Sequence, residues 1–171
     1  PNVTNGQTNV AGLQSIQAPD IILTSSPVAA AAIFQNTTNN IVYIVKMAVS
    51  TANVSVNNIQ FTLSGNHDAN DLTTANVYFN ASAPVLAGAS YQGNTAATFA
   101  APHSYSLNIN RTLSAATSGY FIITVNVSST ATDNKTVRIT GNTTPVTFSY
   151  TTAPNVTNGQ TNVAGLQSLQ A

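Results

Sequence analysis

Short runs of alternating apolar and polar residues dominate this chain, and a period of two residues is typical of β-strands with one buried face. In the longest run, residues 41–50, the side chains of Tyr43, Val45 and Met47 share one face. Glycine, proline and asparagine, which favour turns, separate the runs. The pattern predicts an all-β fold, an antiparallel β-sandwich of about eight or nine strands, at residues 21–24, 30–34, 41–50, 58–64, 76–80, 105–110, 121–128, 137–140 and 146–150.

The first 18 residues of the chain are nearly duplicated by its last 18. Residues 1–18, the N-terminal block, and residues 154–171, the C-terminal block, are identical at 17 positions and differ only in Ile16 and Leu169. Similarity at a fixed spacing indicates a repeat array. We interpret the chain as one unit of a tandem array: residues 1–18 belong to the repeat junction, residues 19–153 form the sandwich, and residues 154–171 start the next repeat. A short adhesive peptide placed at both ends of one domain is the alternative.

The two blocks carry apolar residues that a loose linker does not need. We expect these residues to pack at the junction between repeats: Val3, Val10, Leu13, Ile16, Val156, Val163, Leu166 and Leu169. Such packing would dock a block on its own domain or on the adjacent one and stiffen the array, whereas a purely covalent hinge is the alternative. A block that adds as a strand to a neighbour's sheet would give a continuous filament.

Charge is scarce, since charged residues make up 5% of the chain, against about 25% in an average protein. The chain has 22 Asn, 25 Thr and 16 Ser instead, and its net charge is zero. A neutral chain does not attract nucleic acid or anionic membranes, and a chain without cysteine has no disulfide or thiolate metal site. We expect no membrane insertion, because no apolar run approaches about 18 residues. The composition favours an extracellular bacterial surface protein, and the start at Pro1 suggests a segment of a longer precursor.

A resemblance to a known family lies in residues 39–49 (NNIVYIVKMAV), 51–65 (TANVSVNNIQFTLSG), 70–80 and 118–128. There the chain resembles a recurrent module of very large secreted and cell-surface proteins of the Bacteroidota, of adhesin or filament type. The resemblance implies an immunoglobulin-like β-sandwich that is repeated many times outside the cell, and it brings no catalytic residues with it. The chain departs from the usual module in its low charge and its many N-x-S/T triplets.

One cluster of oxygen ligands is a weak candidate for a calcium site. Asp68, Asn70 and Asp71 follow a turn closely, and Ca²⁺ takes six to eight oxygen ligands. Two carboxylates with no glutamate offer little charge to such an ion. The favoured interpretation is that Asp71 caps a single turn before the next strand.

Three asparagines are candidates for glycosylation. Asn80, Asn110 and Asn126 lie in N-x-S/T triplets, on strand faces opposite the predicted core. We therefore expect these side chains to point to solvent, where glycans could be attached and make the chain a glycoprotein. The alternative is that such triplets arise from the composition alone.

No constellation in the sequence indicates an enzyme. His67 and His103 are the two histidines, and we expect His103 to lie in a surface loop. The nucleophile motif G-x-S-x-G is absent, and without glutamate the usual carboxylate acid–base pair is unsupported. We therefore expect no catalytic residues and no cofactor.

Two classes of function fit these observations. The first is a structural repeat that gives a surface protein length and stiffness, with neighbouring copies of the same repeat as covalent and lateral partners. The second is an adhesin module that binds a ligand or surface glycans through its loops, with Tyr78 and Tyr91 as the available aromatic platforms.

Overall fold

The computed structural model describes residues 18–141, 143–162 and 164–171. These residues form twelve strands, because apolar residues that alternate along the chain can be buried only when the strands pair into sheets. In chain order the strands are β1 (Asp20–Ser26), β2 (Ala31–Phe34), β3 (Asn40–Val49), β4 (Val54–Gly65), β5 (Leu72–Asn80), β6 (Ser90–Ala96), β7 (His103–Leu113), β8 (Thr117–Val127), β9 (Thr136–Ile139), β10 (Val146–Tyr150), β11 (Asn155–Gly159) and β12 (Gln167–Gln170).

The strands form two sheets that pack face to face. The first sheet has the order β11-β1-β3-β8-β5-β6, and the second has the order β10-β4-β9-β12-β2, with β7 also paired to β4. Most neighbouring strands are antiparallel, but β11 runs parallel to β1 and β12 runs parallel to β2. The fold is therefore a β-sandwich in which the last two strands of the described chain, β11 and β12, run parallel to the first two, β1 and β2.

The core lies between the sheets and is made by the alternating residues of the long strands. Tyr43 and Met47 on β3, Ile59 and Leu63 on β4 and Phe121 on β8 are fully buried. Phe121 lies at the centre, with its ring 5.1 Å from those of both Phe79 and Phe148. This packing is what the period of two residues predicts.

The all-β sandwich predicted from the sequence is confirmed, but the predicted number of strands and the purely antiparallel arrangement are wrong. The alternation missed β6, β11 and β12. Strand β6 is a largely exposed edge, and all five residues of β11 are exposed. An edge strand with no buried face leaves no alternation in the sequence, so β6 and β11 could not be found by periodicity. Strand β12 alternates in burial, but it is four residues long and one of its two buried residues is the polar Gln167.

Candidate functional site

The C-terminal block lies beside the segment from β1 to β2 and runs parallel to it along its length. Asn155 is paired with Asp20 at one end, and Gln170 is paired with Phe34 at the other. An isolated bridge between Val28 and Ala164 joins the two segments midway. The block therefore follows β1 and β2 as they pass from the first sheet to the second, and it contributes a strand to each sheet.

In the first sheet the block forms the edge strand β11. The Asn155 main-chain N–H donates to the Pro19 carbonyl at 2.9 Å, and the Asn155 side-chain amide donates to Asp20 Oδ1 at 2.9 Å. Val156, which the sequence analysis assigns to the repeat junction, is 43% exposed. Main-chain and polar contacts, more than apolar packing, fix this half of the block.

The block crosses between the sheets beside a buried tyrosine. Tyr43 Oη donates to the Thr161 carbonyl at 3.1 Å and is also hydrogen-bonded to Ser25 Oγ. Ser25 Oγ accepts a hydrogen bond from the Thr161 main-chain N–H at 3.0 Å. Burial raises the pKa of Tyr43, so its hydroxyl stays protonated and keeps its role as a donor. The three groups fix the point at which the block leaves the first sheet.

Four side-chain amides of the block donate to main-chain carbonyls of the domain. Two of these side chains, Gln160 and Gln167, are almost fully buried. The bonds are Asn158 Nδ2 to Thr143 O (2.9 Å), Gln160 Nε2 to Val146 O (2.8 Å), Asn162 Nδ2 to Ile139 O (3.2 Å) and Gln167 Nε2 to Ala29 O (2.9 Å). A buried amide is stable only when it finds such partners, so these residues fit the block to this position.

In the second sheet β12 lies between β9 and β2. Leu169 is fully buried in the core. Its N–H donates to the Lys135 carbonyl at 2.7 Å, and its carbonyl accepts from the Asn134 N–H at 3.0 Å. Among the described strands, β2 has no other neighbour than β12. The block therefore both fills the core and holds β2 in the sheet.

Gly165 lies where the block passes closest to the domain. Its N–H donates to the Val28 carbonyl at 2.7 Å. A Cβ atom at this position would lie 2.2 Å from the main-chain nitrogen of Ala30, which is far inside van der Waals contact. Only glycine allows the two main chains to approach this closely.

We call the surface that receives the block the acceptor groove, formed by residues 20–34, Tyr43, residues 136–139 and Val146. Of the predicted junction residues, Leu169 is buried in this groove, whereas Val156 and Leu166 are exposed. Val163, Val3, Val10, Leu13 and Ile16 lie outside the described residues. The sequence analysis missed Gln160, Gln167 and Gly165, although polar residues and glycines preserved in both copies of the block were a signal of a specific fit.

The candidate calcium ligands are engaged with the protein itself. The two carboxylate oxygens of the buried Asp71 accept hydrogen bonds from the N–H groups of Asp68 (2.6 Å) and Thr132 (2.7 Å). Asp68 forms an ion pair with Lys135 at 2.9 Å, and Asn70 is exposed. Asp71 thus closes the turn that precedes it and ties that turn to a second loop, whereas the predicted turn after Asp71 is wrong, because β5 begins at Leu72.

The three candidate glycosylation sites differ in their exposure. The prediction that Asn80 points to solvent is wrong, because Asn80 is buried and its amide donates to the carbonyls of Val85 and Ala87. Asn126 is half-buried and its Oδ1 accepts the Asn39 N–H at 2.8 Å. Only Asn110 of the three is exposed. The period of two correctly places Asn80 on the strand face opposite the core. It could not show that the loop containing Val85 and Ala87 folds over this face and buries the side chain.

The two histidines lie in different environments. His103 begins β7 rather than lying in a loop, and its ring stacks on Phe99 with 4.1 Å between centroids. His67 is buried, and its Nδ1 lies 3.3 Å from the Thr136 carbonyl, to which it donates. The described residues contain no group of three or more metal-ligating His, Cys, Asp or Glu side chains.

We predict that the protein loses stability as the pH falls below about 6.5. Burial lowers the pKa of His67 below its usual 6.5, against opposing effects of the Thr136 carbonyl and the carboxylates of Asp71 and Asp68. The unfolded chain therefore binds a proton at a pH where the folded chain does not. The loss is at most about 1.4 kcal/mol per pH unit. Urea denaturation between pH 7 and pH 5 measures it, and His67→Gln should flatten the pH dependence. An unchanged slope in this variant would contradict the assignment.

The surface features that could bind a sugar lie on different sheets. Tyr91 on β6 is 54% exposed and makes an edge contact with the half-buried Tyr78, with 5.5 Å between ring centroids. A groove of about 420 Å³ lies instead on the second sheet, and its lining includes the polar side chains of Gln60, Ser104, Thr140 and Thr147. The predicted aromatic platform and the concave surface therefore do not form one site.

No helix in the part of the chain that the structure describes is long and apolar enough to span a membrane.

No family model and no curated protein matches the sequence. Among solved structures, the chain is similar to the seventh ScaB type I cohesin from Pseudobacteroides cellulosolvens, with 16% identity, a TM-score of 0.36, and coverage of 88% of this chain and 92% of that one. It is also similar to a chain of the CaDoc0917–CaCohA2 complex crystallised at pH 5.5, with 12% identity, a TM-score of 0.35, and coverage of 87% and 99%.

Proposed function

We propose that the chain is a structural unit of a long extracellular repeat protein, in which the 18-residue block both completes one sandwich and leads directly into the next. The observation that carries this proposal is the position of the C-terminal block, which supplies a strand to each sheet and places Leu169 in the core. Its near-copy ends at Ala18, immediately before Pro19 and β1. One segment thus belongs to the fold of one unit and to the start of another.

The contacts at the ends of the blocks support a stiff junction. The Ala171 N–H donates to Asp133 Oδ1 at 3.2 Å, so the end of the C-terminal block is tied to the domain that it completes. The Ala18 carbonyl accepts a hydrogen bond from Thr51 Oγ1 at 3.0 Å, so the corresponding position of the N-terminal block is tied to the domain that it precedes. When both contacts form at one junction, no free residue remains between two units. The angle between the units is then fixed by the fold.

The neutral surface supports self-association and an extracellular location. With 5% charged residues, neighbouring strings of units can approach without electrostatic repulsion. Asn, Thr and Ser side chains on exposed strands can then hydrogen-bond laterally, as Ser55 with Thr112 and Thr62 with Ser104 already do between strands of one sheet. Neighbouring copies of the same unit are the partners that this surface favours.

A two-unit protein tests the proposal. Residues 1–171 followed by residues 19–171 share one block between two sandwiches, and small-angle X-ray scattering should give a narrow distance distribution with a maximum dimension roughly twice that of one unit. The control carries ten Gly and Ser residues between Ala171 and the following Pro19, which should broaden the distribution. Equally broad distributions in both proteins would contradict a stiff junction.

An adhesin module is the second candidate, and the exposed ring of Tyr91 is the observation that favours it. Aromatic faces of this kind stack on sugars, and surface glycans would then be the partner. Binding of the chain to a glycan array that is abolished by Tyr91→Ala would support this candidate.

A further inference from the structure

The contacts that hold the C-terminal block are made by residues that recur in the N-terminal block. Each position is displaced by 153 residues, and the residues that fit the groove most closely are either identical or conservatively changed. Gln7, Gly12, Gln14 and Ile16 correspond to Gln160, Gly165, Gln167 and Leu169. The N-terminal block therefore carries the side chains that the acceptor groove requires, with Ile in the place of a buried Leu.

The N-terminal block cannot enter the groove of its own domain in the same orientation. The groove binds the block parallel to β1 and β2, so the last residues of a bound block lie beside Phe34. Ala18, the last residue of the N-terminal block, is bonded to Pro19, next to the opposite end of the groove at Asp20. At about 3.3 Å per residue, the 14 steps from Asp20 to Phe34 separate these two ends by up to about 46 Å. Parallel pairing needs a crossover connection of a dozen or more residues, and no residue separates the block from Pro19.

We infer that the N-terminal block is a donor for the acceptor groove of a second copy of this chain. This inference deepens the proposed function and rests on it, because the proposed function makes the block the connection between two copies. The copy that receives the block is either the preceding unit of an array or a separate molecule. In the single chain the C-terminal block fills the groove, since a tethered segment has a high effective concentration. When that block is removed from the groove, the N-terminal block of another chain takes its place and the chains join head to tail.

The full chain with the substitution Leu169→Asp tests the exchange. A buried carboxylate expels the C-terminal block from the groove, while the N-terminal block is unchanged. Size-exclusion chromatography with light scattering should then show a mass at least twice the 17.6 kDa of one chain, rising with protein concentration. A species that stays monomeric at all concentrations would overturn the inference.

Matched variants separate strand exchange from aggregation. Ile16→Asp alone should leave the chain monomeric with an unchanged melting temperature, and Ile16→Asp combined with Leu169→Asp should be monomeric and less stable than wild type. A synthetic peptide of residues 1–18 should convert the Leu169→Asp assemblies to monomers, and the same peptide with Ile16→Asp should not. Assemblies that also form in the double variant, or that resist the peptide, would overturn the inference.

A disulfide probe reports the register of the exchange, and the chain has no cysteine of its own to interfere. Ile22 pairs with Thr157 in the parallel ladder, and Thr4 is the counterpart of Thr157. Neighbouring strands about 4.8 Å apart suit a disulfide. The substitutions Thr4→Cys and Ile22→Cys in the Leu169→Asp chain should therefore give covalent multimers under oxidation, whereas Thr4→Cys paired with Ser55→Cys should not.

Multimers with equal yield in the two cysteine pairs would overturn the register and with it the inference. The proposed function has a separate test, because two units joined covalently can form a stiff rod even when separate chains do not exchange blocks. A monomeric Leu169→Asp chain together with a rod-like two-unit protein would therefore overturn only the exchange.

Discussion

Replacing Leu169 by alanine is expected to lower the free energy of unfolding by about 2–5 kcal/mol, the range measured for buried leucines in other proteins. Leu169 is fully buried, and its side chain belongs to the same core as those of β3 and β8. The substitution removes apolar contacts and leaves a cavity between β9 and β2. Urea denaturation at low micromolar concentration, where chains do not exchange blocks, measures the change.

The matched control is Leu166→Ala, three residues earlier in the same block. Leu166 is 40% exposed, so its truncation should change stability by no more than about 0.5 kcal/mol. If both substitutions have the same small effect, the C-terminal block is not part of the cooperative unit, and β12 is not packed in the sandwich in solution. A large effect of Leu169→Ala alone identifies the block as a structural part of the sandwich.

The second large effect is expected for Gly165→Ala, which should destabilise the chain by about 3 kcal/mol. The added methyl group would lie 2.2 Å from the nitrogen and 2.6 Å from the Cα atom of Ala30. These are main-chain atoms, so no side-chain rotation relieves the overlap. The block must move away from β2, and the 2.7 Å hydrogen bond from Gly165 to Val28 lengthens or breaks. Thermal unfolding followed by circular dichroism measures the loss.

Gly93→Ala provides the control for this prediction. A Cβ atom at Gly93 would be 3.6 Å from the Asn108 carbonyl oxygen, an ordinary contact. Its effect should stay within about 0.5 kcal/mol, and alanine also restricts the unfolded chain. If Gly165→Ala is as mild as Gly93→Ala, the close approach of the block to Ala30 is not present in solution.

The sequence was most informative where strands are buried on one side. The runs around Ile59 and Leu107 gave β4 and β7, because their alternation follows directly from packing one face against a second sheet. Strand β6 lies at a sheet edge and is largely exposed, so no pattern of burial marks it. Asn80 shows a second limit, since its burial depends on a loop that returns to the strand rather than on the strand itself.

The candidate site was predicted in part. Leu169 was expected to pack, and the duplication indicated a segment with a defined place. The sequence could not show that this place is the sandwich that precedes the block, because parallel pairing with β1 and β2 depends on contacts between residues about 135 positions apart. Gln160 and Gln167 look like surface residues in the sequence, and only their carbonyl partners explain their burial.

The parallel placement of the block has a mechanical consequence. In a string of units, tension enters each sandwich at Asp20 and leaves it at Ala171, which lie at opposite ends of the two parallel segments. The pull therefore drives the segments past each other in shear. The hydrogen bonds of the two parallel ladders, at residues 20–24 and 31–34, must then break together rather than one after another. Each unit should therefore resist stretching along this axis far better than peeling of the block from its free end.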